Sequence, residues 1–162
     1  MGVQLQRSAF SVNVKERLDF SCALLNNKGF LIANAPHIPD HLGSLGICAR
    51  TIIKDYPIAE GDILLTNHPL YGGSHLPDLT LLKGVFNNHK LIGYVINRAH
   101  HAEIGGKTPG SMPTDATKLA EEGIVFPPTY IFKNGISKMD QIKQKLSNNF
   151  YPSRDPQTNI LD

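Results

Sequence analysis

The sequence predicts an α+β domain built on antiparallel β-hairpins, with a few helices and one long Gly/Pro-rich loop. Three observations predict it. Two runs of β-type residues, 79–86 and 91–98, flank the polar tetrad Asn87-Asn88-His89-Lys90, as the arms of a hairpin do. Leu45, Cys48, Ala49, Ile52 and Ile53 recur at the spacing of one helix face. Between residues 104 and 128 the chain is rich in Gly, Pro, Ser and Thr, too irregular for a long element. The 162 residues suit one domain or a fragment of one; the C-terminal stretch 151–162 carries no closing signal, so the domain reads as incomplete.

Taken in order, residues 19–25 form an apolar strand, Asn26-Asn27-Lys28-Gly29 a turn, and residues 30–33 a returning strand. Pro36 and Pro39 break regularity around His37 and His41. The amphipathic helix follows over 44–56 and ends before Pro57. Gly61-Asp62 introduces a short buried strand at 63–66. After the 79–98 hairpin, the irregular stretch holds one short helix at 117–122; such a stretch in a compact domain is usually functional. A strand at 129–132, the turn Asn134-Gly135 and a helix at 139–146 complete the reading.

Sixteen basic and fourteen acidic side chains give a net charge of +2, too balanced for a nucleic-acid footprint or a polybasic membrane anchor. No apolar run approaches the roughly 20 residues that span a bilayer. The first ten residues lack the apolar stretch of a signal peptide. Cys22 and Cys48 have neither metal nor redox spacing, which points to small core residues in a reduced cytoplasmic compartment. Gly106-Lys107-Thr108 resembles the tail of a phosphate loop, but position 101 is His where that motif needs Gly, so no nucleotide is expected on this chain.

The chemistry concentrates in His75-Leu76-Pro77-Asp78 and in Asn97-Arg98-Ala99-His100-His101-Ala102-Glu103. Imidazole and carboxylate together suit a borderline divalent metal such as zinc. Gly72-Gly73 permit a tight turn before His75, and Pro77 stiffens the loop that enters the next strand. The hairpin returns position 78 beside position 99 or 100. A three-residue loop (Asn88, His89, Lys90) sets Asp78 opposite His100 on one face, whereas an even loop sets it opposite Ala99. Either way the His75/Asp78 loop and the His100/His101 pair meet at the open end of the hairpin, as a three-ligand site with an open position requires. His75 and Asp78, with one member of the His100/His101 pair, are the candidate ligands. His101 or Glu103 is the expected general base, and Arg98 the group expected to orient an anionic substrate. His37, His41 and His68 are further candidates near the site; His89 reads as an exposed turn residue. Glu16, Arg17 and Asp19 read as a solvated group or as groups orienting a ligand.

Several stretches resemble the hydantoinase B/oxoprolinase family: Lys15-Glu16-Arg17-Leu18-Asp19-Phe20-Ser21-Cys22-Ala23, Ala35-Pro36-His37-Ile38-Pro39, His41-Leu42-Gly43-Ser44, Gly72-Gly73-Ser74-His75-Leu76-Pro77-Asp78, and the run from Asn97 to Gly106 continuing through Thr108-Pro109-Gly110-Ser111-Met112-Pro113. Glu121-Glu122-Gly123 and Pro127-Pro128 fit as well. The resemblance implies the B-type subunit of ATP-dependent enzymes that open cyclic amides such as hydantoins and 5-oxoproline, or a related acetone or acetophenone carboxylase subunit. It implies a divalent metal, manganese in the carboxylases, held by a His-x-x-Asp pair and a later His, which are His75, Asp78 and His100 in this sequence. It also implies a separate hydantoinase A-like subunit that binds ATP and activates the small-molecule substrate. Two residues depart from the family pattern: Asn67-His68-Pro69 stands where Asn-Asp-Pro is usual, and Glu103 where Asp is frequent. Members run to several hundred residues, so the chain corresponds to their N-terminal part and is expected to need the remainder of the B subunit; a non-catalytic piece without turnover alone is the third reading.

Overall fold

A computed structural model describes residues 1–36, 38–39 and 41–162. Seven strands form one antiparallel sheet in the order β2-β1-β5-β4-β3-β6-β7. They are β1 (Phe20–Asn26), β2 (Leu31–Pro36), β3 (Ile63–Thr66), β4 (Asp78–Asn87), β5 (Lys90–His100), β6 (Thr129–Lys133) and β7 (Ile136–Ser137). The helices are α1 (Gly2–Ser8), α2 (Val12–Lys15), α3 (His41–Asp55), α4 (Leu119–Glu122), α5 (Met139–Ser147) and α6 (Pro156–Leu161). The expected α+β class, the hairpins and the irregular stretch after residue 104 are all present. None of the described helices is long and apolar enough to cross a membrane.

The period of two along each strand divides the sheet into two buried faces. On one face, Ala23, Leu25, Leu64, Leu82, Tyr94 and Ile96 pack under Leu45, Cys48, Ala49 and Ile52 of α3. On the other, Leu65 and Leu79 pack against Phe126, Ile131, Ile142 and Leu146, while Phe20, Cys22 and Ala99 pack beneath Ala9 and Val14. Both cysteines are free and buried, one in each core.

Sequence patterning falls short at the helix ends. α3 begins at His41, three residues before the apolar periodicity, because that periodicity reports only the stripe facing the core. α1, α2 and α6 were not anticipated. α1 buries none of its residues, so it leaves no stripe to read. α6 does carry a start signal: the Asp155 side chain accepts from Thr158 N–H and Pro156 occupies the first turn.

The register of the central hairpin decides where the site residues lie. Asn88 and His89 both have positive φ (48° and 61°) and make a two-residue turn, not the three-residue loop. Phe86 pairs with Leu91 but Val85 pairs with Gly93, so Ile92 is a bulged extra residue on β5. The bulge restores the odd register, and Asp78 lies opposite His100.

Candidate metal centre

The ends of β4 and β5 bring the cluster together. Asp78 and Thr80 face the same side as their partners His100 and Arg98, and β1 adds Ser21 opposite Arg98. The loop carrying His75 reaches the same side through two glycines. Gly72 has φ +84°, and a side chain on Gly73 would run into the Asn67 carbonyl. Asn67 is fully buried; its amide donates to Leu76 O (2.7 Å) and Ile124 O (2.9 Å), and its carbonyl accepts from Phe126 N–H (2.7 Å). This residue pins the loop to the sheet end.

His75, Asp78 and His100 each present one ligand atom, and these atoms lie within 4.8 Å of one another. Among the described residues they are the group of His, Cys, Asp and Glu that can close on an ion. His100 Nδ1 is 2.8 Å from Asp78 Oδ1, and His75 Nδ1 is 3.4 Å from Oδ2, which also accepts the His75 backbone N–H at 3.1 Å. His41, the first residue of α3, is buried; its Nε2 lies 3.8 Å from Asp78 Oδ1 and its Nδ1 3.1 Å from Ser21 Oγ. Together with Asp19, Ile38 and Ser74 these residues line a cavity of about 210 Å³.

Burial pushes the Asp78 carboxyl upward, but the hydrogen bond from His100, the nearby His41 imidazole, the charge of His100 and the His75 N–H outweigh it, and the group titrates well below the usual carboxylate range. For His100, burial lowers the pKa, and the bond and charge of Asp78 with the charge of Asp19 raise it above the ordinary imidazole value. An ionised carboxylate flanked by imidazoles, with room beside them, is a donor set that fits a divalent cation.

The family model described as hydantoinase B/oxoprolinase matches residues 1–162. The chain belongs to this family. It is 46% identical over 160 residues to 5-oxoprolinase 1 of Arabidopsis thaliana, covering 98% of this chain and 12% of that protein. The crystal structure of an ATP-dependent caprolactamase from Pseudomonas jessenii superposes with a TM-score of 0.76 and 31% identity, over 88% of this chain and 25% of that one. A nucleotide-free acetone carboxylase structure superposes with a TM-score of 0.81 and 21% identity, over 99% of this chain and 22% of that one; that likeness is of fold. The chain thus spans about an eighth of the length of the 5-oxoprolinase it matches.

The remaining expected residues of this hydantoinase B/oxoprolinase chain lie elsewhere. His101 projects to the opposite side of the sheet from His100. It is buried, its Nδ1 is 3.0 Å from Asn159 Oδ1, and it borders an apolar cavity of about 170 Å³ with Leu79, Phe126 and Ile142. Burial lowers its pKa. Glu103 accepts hydrogen bonds from Gly105 N–H (2.7 Å), Ser153 Oγ (2.5 Å), Asn159 Nδ2 (3.2 Å), Arg154 N–H (3.2 Å) and Asp155 N–H (3.3 Å). Burial raises its pKa, yet these donors bring the net value below normal. The geometry therefore gives no support to either as a general base at the cluster, because both lie on the other face, His101 with its Nδ1 against Asn159 and Glu103 with both oxygens accepting from several donors. Arg98 is 0% exposed, and its donors go to protein acceptors, so the geometry gives no support to it as a group that meets a substrate carboxylate.

His68 Nδ1 accepts from Leu70 N–H at 3.1 Å and caps a short 3-10 turn, so His68 stays outside the ligand group. His89 is an exposed turn residue 2.7 Å from Glu60. Glu16 and Arg17 are solvated; Asp19 borders the cavity, and its carbonyl accepts the His100 N–H at 2.9 Å. His37 falls outside the described residues. His41 is the residue whose role sequence reasoning left open: its separation from Asp78 along the chain hides a proximity that only the packing of α3 on the sheet creates.

Proposed function

We propose that this chain carries the metal site of an ATP-dependent enzyme that opens a cyclic amide of the 5-oxoproline or hydantoin type. His75, Asp78 and His100 hold a divalent cation, manganese or zinc, and a partner subunit related to hydantoinase A supplies ATP. The observation that carries this reading is the convergence of three ligand atoms within 4.8 Å at the mouth of a cavity. The family membership and the likeness to an ATP-dependent caprolactamase support the same class of bond, a lactam C–N.

A bound cation would polarise the substrate carbonyl or lower the pKa of water. The chain's own residues prepare the place. Asp78 remains a carboxylate across the physiological range and brings the negative charge. His100 fixes one of its oxygens, with the His41 imidazole nearby, and the His75 N–H fixes the other. The His75 side chain, 51% exposed, borders both this cavity and a groove of about 310 Å³ formed with Met112, Pro113, Thr114 and Glu122. Substrate lies in that groove, beside the cluster. The irregular stretch after residue 104 therefore supplies one wall of the substrate site.

Co-expression with an ATP-binding partner subunit tests the reading. ADP release that depends on 5-oxoproline, hydantoin or a larger lactam, and that disappears in His75→Ala, is expected. ADP release driven by acetone and bicarbonate but by no cyclic amide would replace it with the carboxylase reading.

A further inference from the structure

Arg98 is among the largest side chains in the molecule with no solvent exposure, and no carboxylate pairs with it among the described residues. Burying an uncompensated cation is costly, and a hydrophobic side chain would fill the space with less penalty. Its fork instead reaches four neutral acceptors. Nε donates to Thr80 Oγ1 at 2.8 Å, Nη1 to Ser44 Oγ at 2.8 Å and to Ser74 Oγ at 3.4 Å, and Nη2 to Gly72 O at 2.7 Å.

The acceptors are distributed in a telling way. Thr80 lies two residues beyond Asp78 on the same face of β4. Ser74 adjoins His75, and Gly72 opens the turn that delivers it. Ser44 lies three residues beyond His41, and its hydroxyl also donates to the His41 carbonyl at 3.3 Å. Arg98 itself precedes His100 by two residues on β5, again on the same face. One planar guanidinium thus ties together all the segments that carry the four cluster side chains.

We propose that Arg98 is the positioning residue of the cluster: its hydrogen bonds to Thr80, Ser44, Ser74 and Gly72 set the spacing of His41, His75, Asp78 and His100. The inference rests on the metal reading given above. Because the guanidinium is rigid and directs several donors in one plane, it fixes angles as well as distances, which a lysine ammonium cannot do. Residues that hold ligands in place typically change metal affinity roughly 10–100-fold when altered.

Titration of the full 162-residue chain with Co²⁺, followed by calorimetry and by the visible absorption of the bound ion, tests this. Arg98→Met is expected to bind roughly 10–100-fold more weakly, with a changed Co²⁺ spectrum in the folded protein. Arg98→Lys is expected to recover part of the affinity. A lower unfolding midpoint with wild-type affinity and a wild-type spectrum would overturn the proposal alone. If Arg98→Met does not fold, the double variant Ser44→Ala/Ser74→Ala decides: weaker binding with an altered spectrum supports the proposal, and wild-type values overturn it. A wild-type chain that binds no Co²⁺, or His75→Ala binding as tightly as wild type, would overturn the metal reading and this inference with it.

Discussion

His100 and His101 are neighbours in the chain and belong to opposite regions of the molecule. His100 turns to one face of the sheet, where an ionised Asp78 and two further imidazoles border a cavity. His101 turns to the other, where Asn159, Glu103 and Ser153 close a hydrogen-bonded network around it. The two regions hold similar residue types. They differ in what those residues have left to give. In the first, ligand atoms of three residues lie close enough to share one ion; in the second, Asn159 bridges His101 to Glu103 and Ser153, and Glu103 is committed to five donors. A candidate metal site is recognised by several ligating atoms close enough to share one ion, and a structural network by polar groups already committed to one another.

The comparison predicts opposite responses to mutation. The largest effect is expected for Glu103→Ala, which strips five donors of their acceptor and should cost about 3–5 kcal/mol of stability. Urea unfolding measures it, and the folded variant should bind metal as the wild type does. A Glu103→Ala protein of unchanged stability that loses metal would move Glu103 into the site and erase the distinction. Next comes His75→Ala: metal affinity should drop by more than about 100-fold, beyond the usual effect of an outer partner, while the unfolding midpoint barely changes because the side chain is half exposed.

A pH series sharpens the contrast. His100 must lose its proton to bind a cation, and its pKa is raised. Affinity should therefore rise with pH until that elevated value is passed, by about tenfold per unit below it, as isothermal titration in matched buffers would show. Without metal the sign reverses. The His100 contribution to stability is complete below the unfolded imidazole pKa of about 6.5 and is lost as pH rises through the folded value, whereas that of Asp78 is present above about 3.9 and is lost as pH falls through its depressed value. The smallest effect is expected for His101→Asn, roughly 1 kcal/mol of stability from one altered hydrogen bond, with metal affinity unchanged.

Much of this arrangement was legible in the chain, and the rest was hidden for definite reasons. The strands around the Asn88-His89 turn were plain from their β-type residues, and the hairpin alone brought the two ligand-bearing segments to one end. Register was not legible, since a bulge at Ile92 compensates for a two-residue turn and neither feature has a distinctive residue pattern here. The roles expected of Arg98, His101 and Glu103 followed from nearness in sequence to His100. Strand alternation sends His101 away, and the partners of Glu103 lie about fifty residues further along, in a segment with no periodic pattern. His41 was visible as a candidate but could not be placed, because its position depends on how α3 packs rather than on any local signal.

Metal content tests the central claim most directly. Wild-type chain and the variants His75→Ala, Asp78→Asn, His100→Ala and His101→Asn are dialysed against Mn²⁺ or Zn²⁺, freed of excess ion and analysed by mass spectrometry. About one ion per chain is expected in the wild type and in His101→Asn, and little in the other three. Equal metal in all five proteins, or retention in Asp78→Asn with loss in His101→Asn, would contradict the assignment of the cation to the face that His100 occupies.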